Sequence, residues 1–122
     1  MNKACPFCTP DNIVLSNDLA FAIFDIYPVN RGHLLIIPKR HVSDFFDTTI
    51  EEREAINELL EQGKALLGEQ HSPDGYNIGI NCGETAGQTI FHVHVHLIPR
   101  YKGDMENPRG GVRGVIPEKR NY

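Results

Sequence analysis

Cysteine, basic charge and long apolar runs are all scarce in this chain, and each shortage excludes a class of protein. Three cysteines among 122 residues are an odd number and too few for a disulfide scaffold. The 12 basic side chains are outnumbered by 16 acidic ones, for a formal net charge of -4, so the basic face that binds nucleic acid or anionic membranes is not expected. A small anionic ligand stays possible, because a few local groups suffice to hold it.

The apolar residues are divided into short runs. No stretch approaches the ~20 consecutive apolar residues that a membrane-spanning helix requires. The first residues, Met-Asn-Lys-Ala-Cys-Pro, lack the apolar run of a secretory signal peptide. We therefore expect a soluble cytoplasmic protein without a membrane or nucleic acid partner.

The length and the residue pattern predict one α+β domain over residues 1–122. A composition of 40% hydrophobic and 23% charged residues is ordinary for a globular domain. Short apolar runs between turn residues predict antiparallel strands, and the Thr49–Glu52 capping box opens an amphipathic helical pattern. Glycine and proline predict a mostly irregular C-terminal tail over about 102–122. The predicted strands are 13–15, 20–26, 33–38, 76–82 and 89–99, and the predicted main helix is 49–68.

Three of the six histidines, His92, His94 and His96, alternate with apolar residues. Alternate side chains of a strand share a face, so these imidazoles are predicted about 6.6 Å apart on one face, with Phe91 and the intervening residues in the core. Three interpretations fit. The strand has a polar face by chance, or His-x-His binds a metal ion, or the site acts on phosphorus. Neutral imidazole is a nucleophile that carries a transferred group as a labile phosphoramidate, and flanking imidazoles donate to charged oxygens.

The stretch His-Val-His-Val-His-Leu-Ile at 92–98 resembles the signature of the histidine triad family. Gly-Gln-Thr at 87–89 precedes it, as Gly-Gln-Ser/Thr does in that family. The stretches 24–28 and 32–39 are similar to the N-terminal half of the same family, so the resemblance covers about residues 5–101. It implies a HIT-like fold, with an antiparallel sheet of about five strands, one main helix and a short second helix.

The resemblance also implies roles for individual residues. His94 is implied as the nucleophile, with His96 and Gln88 as further catalytic residues. Asp25 is implied as the acceptor for the ribose hydroxyls, although a turn former is the alternative. Asn81 and Thr89 are otherwise ordinary polar residues at a strand edge, and the apolar residues are otherwise core. The implied nucleotide-binding residues are Phe7, Ile23, Asp25, Ile26, His33, Leu35, Asn81, Gly87, Gln88, Thr89, His94 and His96.

Cys5-Pro-Phe-Cys8 has the spacing of half a zinc site. A thioredoxin-type redox pair is not favoured, because that motif follows a strand and opens a helix, whereas Pro10 follows closely here. The spacing alone leaves the other two ligands open among the histidines. The resemblance implies His41 and His92, which gives a closed structural Cys₂His₂ zinc site and no organic cofactor. The alternative is that both cysteines are free thiols.

The segment that follows the triad indicates a branch of the family. It lacks the tryptophan-bearing C-terminus of the Hint-like branch and is more similar to the Fhit-like branch and to bacterial diadenosine polyphosphate hydrolases, although Asn81 stands where Fhit-like enzymes have glutamine. The resemblance implies a homodimeric nucleotide hydrolase acting at the α-phosphate of dinucleoside polyphosphates through a nucleotidyl-His94 intermediate. A phosphoramidase or a nucleotidyl transferase or phosphorylase is one alternative, and a zinc-stabilised nucleotide-binding interaction protein is another. Arg109 and Arg113 are either phosphate ligands or part of a solvated tail.

Overall fold

The structure, a computed structural model, describes residues 5–122 and contains a five-stranded antiparallel sheet with one long helix. The strand order is β1-β2-β3-β5-β4, so the fourth strand in sequence lies at an edge. The elements are β1 (Leu15–Ser16), β2 (Ala20–Phe24), β3 (Leu34–Pro38), α1 (Ile50–His71), β4 (Gly75–Ile80) and β5 (Val95–Arg100). Short 3₁₀ segments occupy Phe45–Asp47, Glu84–Ala86, Gly111–Val115 and Pro117–Lys119. The predicted α+β fold is confirmed, and its short second helix appears only as 3₁₀ turns.

The α1 helix covers one face of the sheet. Its Leu59 and Leu67 are fully buried against a core that includes Leu34 and Leu97. The predicted capping box is present, since the Thr49 hydroxyl accepts from the Glu52 backbone N–H and the Glu52 carboxylate accepts from the Thr49 N–H. Within residues 5–122, no helix combines the length and the hydropathy that a membrane span requires.

The prediction that α1 ends at Gly68 is wrong. The helix continues to His71, and Ser72 closes it in the left-handed conformation at φ 49°. Gly68 has open space around its Cα, so it lies on the solvent side. A glycine costs a helix only about 1 kcal/mol, and the burial of Leu67 beside it favours an unbroken helix.

The N-terminal segment and the C-terminal tail cover different parts of the opposite face of the sheet. At one end, Cys5 and Phe7 pack on Phe21, Leu35 and Ile37. At the other end, the 3₁₀ segment Gly111–Val115 lies against β4. His96 of β5 is cross-strand partner to Leu35 and to Gly79, so it lies between these two covers.

The last strand starts later than predicted, at Val95 rather than at residue 89. Before Val95 the chain leaves the sheet, and the Val93 N–H donates to the Val42 carbonyl at 2.8 Å instead. Phe91, predicted to enter the core, is 47% exposed, while Val93 is fully buried. The predicted burial of alternate residues therefore fails at Phe91, whereas His92 packs against Cys5 and Phe7, which cover the same face of the sheet as His96.

Candidate active site

A cavity of about 750 Å³ lies on the sheet face opposite α1, beside the N-terminal segment. Its volume is within the usual range for small-molecule sites. We call it the nucleotide cavity, after the ligand that the family resemblance implies. Ten of the residues implied by the resemblance line it: Phe7, Ile23, Asp25, Ile26, Leu35, Asn81, Gly87, Thr89, His94 and His96. Residues from six separate stretches of the sequence thus meet around two histidines of the triad.

His94 is held in the tautomer that a nucleophile needs. Its Nδ1 lies 3.0 Å from the backbone carbonyl of His92, and a carbonyl only accepts, so Nδ1 carries the proton. The lone pair is therefore on Nε2. The ring packs edge-on against Phe7 at 5.1 Å and against His96 at 5.2 Å, which fixes its plane. A nitrogen lone pair in a defined position on a lined cavity can attack an electrophilic phosphorus.

His96 is held in the complementary tautomer. The Val29 backbone N–H donates to Nδ1 of His33 at 3.0 Å, so the proton of neutral His33 is on Nε2. That Nε2–H donates to Nδ1 of His96 at 2.9 Å, which leaves the proton of His96 on its own Nε2. His94 therefore presents an acceptor nitrogen, and the neighbouring His96 presents an N–H donor. The buried His33, which does not line the nucleotide cavity, acts by holding His96 from behind.

His96 and His33 are both held neutral by lowered pKa values. Burial first, and then the nearby imidazoles of His94 and His33, lower the pKa of His96 from 6.5 to about 4. Burial also lowers the pKa of His33, against the opposing charge of Asp25, whose Oδ2 is 3.6 Å from Nε2 of His33. At neutral pH the His96 N–H is thus a hydrogen-bond donor without a positive charge.

The depressed pKa of His96 predicts a pH-dependent stability. The unfolded chain binds this proton with a pKa of 6.5 and the folded chain with a pKa of about 4. Between these values the unfolded state binds more protons, so the free energy of unfolding should fall as the pH drops from 6.5 towards 4. Denaturant titrations across this range should give a shallower pH slope for His96→Gln, and equal slopes for variant and parent would contradict the assignment. The slope should not vanish, because burial also lowers the pKa of His33 and His92.

Asp25 lies where both of its sequence interpretations apply. Its Oδ1 accepts from the Tyr27 backbone N–H at 2.9 Å, the bond of an Asx turn. Its side chain also lines the nucleotide cavity. A carboxylate has several acceptor sites, so the turn leaves capacity for the hydroxyl groups of a ligand.

Gln88, which the resemblance implies as a catalytic and nucleotide-binding residue, does not line the nucleotide cavity. It is 3% exposed, and its amide donates to the Ser43 and Ile90 carbonyls at 2.8 and 3.1 Å. Its Oε1 accepts from the Gly83 N–H at 2.8 Å. These bonds use the amide to shape the loop, whose Gly87 adopts φ 97° and borders the cavity with Thr89. Gln88 is thus a positioning residue for its neighbours.

The cavity also has lining residues that sequence reasoning missed. Two polar residues, Asp11 and Asn12, stand at its N-terminal side, and Asn12 has φ 58°. Nothing in the local pattern marks them, because only the crossing of the N-terminal segment over the sheet brings them here. The one pattern that could have indicated further cavity residues was the pair of aromatic residues, Phe24 and Tyr27, on either side of Asp25. The missed residues are Pro6, Pro10, Asp11, Asn12, Phe24, Tyr27 and Ile90.

A second cluster joins the predicted metal ligands. The ligand atoms of Cys5, Cys8, His41 and His92 all lie within 4.8 Å of one another. Nδ1 of His92 is 3.4 Å from the Cys5 sulfur, and Nδ1 of His41 is 3.1 Å from the Cys8 sulfur. The third cysteine, Cys82, is half-buried and is not part of this cluster. The four predicted residues can therefore bind one metal ion.

The tautomer of His92 fits a metal ligand. Its Nε2 lies 2.7 Å from the Pro38 carbonyl, so Nε2 carries the proton and the Nδ1 lone pair faces the two sulfurs. A ligating histidine is usually oriented by such a hydrogen bond from its other ring nitrogen. His92 is fully buried, and its ring meets His41 edge-on at 4.9 Å. Two thiols and two imidazoles are the donor set of a closed structural zinc site.

The fold and the two clusters define a single-sheet α+β protein with paired histidines in a cavity and a separate Cys₂His₂ group. Comparison with known proteins identifies the class. The HIT domain model matches residues 8–103, so this chain belongs to the HIT domain family. The match covers the triad, every lining residue of the nucleotide cavity except Pro6 and Phe7, and three of the four metal-ligand candidates, because Cys5 precedes it.

Individual relatives add detail. The chain is 39% identical over 95 residues to bis(5'-adenosyl)-triphosphatase of Dictyostelium discoideum, covering 78% of this chain and 64% of that protein. It is 34% identical over 93 residues to the AP-4-A phosphorylase of Mycobacterium tuberculosis, covering 75% of this chain and 48% of that enzyme. Among solved structures, a zinc-bound histidine triad family protein from Mycobacterium smegmatis aligns with a TM-score of 0.75 at 36% identity, over 85% of this chain and 80% of that one.

Proposed function

We propose that this protein hydrolyses dinucleoside polyphosphates at the α-phosphate through a nucleotidyl intermediate on His94. The observation that carries the proposal is the opposed pair of tautomers, with an acceptor nitrogen on His94 and a donor N–H on His96 facing one cavity. Relatives named for cleaving adenosine polyphosphates support the choice of substrate. The proposed mechanism thus rests on the two tautomers, and the proposed substrate rests on the relatives.

In the first step, Nε2 of His94 attacks the α-phosphorus and a P–N bond forms. The bond from phosphorus to the bridging oxygen breaks, and its electron pair leaves with the departing nucleotide. The imidazolium formed on His94 is stabilised by the hydrogen bond from Nδ1–H to the His92 carbonyl. The His96 N–H donates to the leaving oxygen or to a phosphoryl oxygen as charge develops there.

In the second step, water attacks the same phosphorus and the P–N bond breaks. Its electron pair returns to Nε2 of His94, a proton passes to solvent, and the mononucleotide is released. The cavity residues Asn81 and Thr89 border the phosphate position, and Asp25 accepts from the ribose hydroxyls. The base lies against the apolar side chains of Phe7, Ile23 and Leu35, which gives a flat ring a dry surface.

The neutral state of His96 favours a phosphate leaving group over an amine. With a pKa of about 4, His96 donates a hydrogen bond at neutral pH but is not a charged acid. A nucleotide leaves as a stable anion and needs only that hydrogen bond. An amine leaves well only after it gains a proton, so phosphoramidase activity is the weaker alternative.

The acceptor separates a hydrolase from a phosphorylase. The protein is incubated with diadenosine triphosphate and tetraphosphate in ¹⁸O-labelled water, with and without phosphate, and products are identified by mass spectrometry. A hydrolase yields AMP with one heavy oxygen whether or not phosphate is present. If product formation requires phosphate and gives unlabelled ADP, the protein is a phosphorylase, for which the mycobacterial relative is a precedent by name. Heavy oxygen in the leaving nucleotide, or no cleavage, would overturn the proposed attack at the α-phosphate.

We further propose that the Cys5, Cys8, His41 and His92 cluster holds a structural zinc ion. Bound there, zinc neutralises two thiolates and ties the N-terminal segment to the triad segment. Phe7, between the two cysteines, packs on His94, so this link also fixes one wall of the nucleotide cavity. The zinc-bound mycobacterial neighbour supports the choice of metal.

A further inference from the structure

A second cavity of about 410 Å³ adjoins the nucleotide cavity on the far side of His96. Its lining includes Asn77 and Ile98 from β4 and β5 and Val112 and Val115 from the tail. We call it the tail cavity. It shares two residues, His96 and Asn81, with the nucleotide cavity, and it does not include His94. The donor histidine therefore stands between two adjoining spaces, and the nucleophile belongs to only one of them.

The segment that walls the tail cavity is folded by specific contacts. Gly110 has φ 89°, and a Cβ there would lie 2.0 Å from the Arg120 carbonyl oxygen, so this close approach requires glycine. The Arg113 guanidinium donates to the Lys119 carbonyl at 3.1 Å and lies over the Tyr122 ring. The matched HIT domain ends at residue 103, so this wall lies beyond it. The family match thus includes the sheet side of the tail cavity but not the wall that closes it.

The lining selects an uncharged group. Three valines of this lining have exposed aliphatic side chains that an apolar ligand group could cover. Their exposed fractions are 65% for Val29, 62% for Val112 and 80% for Val115. Among the described residues that line it, Arg100 is the one permanent cation, and its guanidinium is already bonded to Asp104 and Asn77. A polyphosphate finds no free cation here. A ring with apolar faces and a polar edge fits, because the Asn81 amide adds hydrogen-bonding capacity to apolar walls.

The position indicates which part of a substrate reaches the tail cavity. In an in-line displacement the leaving group departs on the side opposite the nucleophile, here towards His96 and away from His94. From His96 to Arg100, β5 extends about 13 Å at ~3.3 Å per residue. That length accommodates a sugar and a base attached beyond a short phosphate bridge.

We propose that the tail cavity binds the leaving nucleoside, that is, the base and sugar of the second nucleoside of a dinucleoside polyphosphate. This inference rests on the proposed function and adds a leaving-group site built by residues 111–115. It makes the C-terminal tail a determinant of substrate choice, because the tail contacts the half of the substrate that distinguishes a dinucleoside polyphosphate from a simple nucleotide.

The test compares diadenosine triphosphate with ATP, which has the same phosphate chain but lacks the second adenosine. The double variant Val112→Ser/Val115→Ser removes aliphatic surface at two exposed positions and adds no charge. We expect its KM for diadenosine triphosphate to rise about tenfold, equivalent to ~1.4 kcal/mol of lost binding, with kcat little changed. The KM for ATP, or its inhibition constant where turnover is too slow, should stay the same.

Ile50→Ser is the matched control, since Ile50 is 69% exposed at the start of α1 and lines neither cavity. It should leave both constants unchanged, and melting curves check that all variants are folded. Equal changes for the two ligands, or no change for either, would overturn the leaving-group site while the proposed function stands. If the parent protein cleaves neither compound, the proposed function itself fails, and a nucleotidyl adduct on His94 decides that question separately.

Discussion

Replacing His94 by asparagine is expected to remove turnover almost entirely while nucleotide binding survives. The lone pair on Nε2 is the proposed attacking group, and an amide nitrogen has no comparable nucleophilicity. Loss of a covalent nucleophile lowers kcat by on the order of 10⁴-fold or more. The remaining wall of Phe7, Leu35 and Asp25 is intact, so the dissociation constant of AMP should change by less than about threefold. Stopped assays with diadenosine triphosphate and AMP calorimetry measure the two effects.

His71→Asn is the matched control, because His71 is in the last turn of α1 and lines neither cavity. It should retain parental turnover. A second measurement locates the covalent P–N bond. When the parent protein is mixed with substrate and rapidly quenched, the peptide that contains His94 should gain the mass of one AMP moiety. Turnover that survives in His94→Asn, or an adduct on another residue, would disprove the nucleophile assignment and leave His96 as the candidate to examine.

The histidine pattern predicted which residues surround the cavity better than it predicted where the last strand begins. Alternation correctly places His94 and His96 in one cavity, because both belong to, or directly precede, β5. It fails for Phe91, which is 47% exposed, while His92 is buried against Cys5 and Phe7 on the same face of the sheet. Pairing of Val93 with Val42 takes the chain out of the sheet before Val95, and this tertiary contact has no local signature. A period-two pattern indicates a strand but does not say where its ladder ends.

Gln88 and the tail illustrate two other limits of sequence reasoning. A glutamine beside a glycine looks like a ligand for phosphate, yet its amide is used by three backbone groups of its own loop and its neighbours. The glycine-rich tail was predicted to be mostly irregular, but Gly110 permits a close approach to Arg120 that folds it into a wall with a 3₁₀ segment at Gly111–Val115. Arg109 and Arg113 both stack on Tyr122 within that wall. Neither lines the nucleotide cavity or the tail cavity.

The paired tautomers could not be predicted from the sequence at all. They depend on two backbone groups, the His92 carbonyl and the Val29 N–H, whose positions follow from the turn between β2 and β3 and from the start of β5. His33 was expected beside the triad, and its ring lies 5.2 Å from that of His96. Its function as the donor that sets the tautomer of His96 follows only from the direction of two consecutive hydrogen bonds, from the Val29 N–H to His33 and from His33 to His96.

Replacing Cys8 by serine is expected to abolish metal binding and to weaken the nucleotide site at the same time. Three ligands of a closed site do not hold zinc well, and the metal contributes folding free energy directly, so the free energy of unfolding should fall by on the order of several kcal/mol. Phe7 packs on His94 from within the Cys5–Cys8 turn, so loosening that turn should raise the KM for substrate more than it lowers kcat. Metal analysis, thermal unfolding and steady-state kinetics measure the three effects.

Cys82→Ser is the internal control, because Cys82 is a free, half-buried thiol outside the four-residue cluster. It should keep one zinc ion per chain and the parental melting temperature. A Cys8→Ser protein that still holds one zinc ion would exclude this Cys₂His₂ site. Loss of zinc without any change in KM would separate the metal from the cavity, and the ion would then stabilise the fold without shaping the wall at Phe7. Loss of zinc together with a raised KM would show that the metal site and the nucleotide cavity are coupled. The buried His92 joins the two, because it contacts Cys5 through Nδ1 and accepts from His94 through its carbonyl.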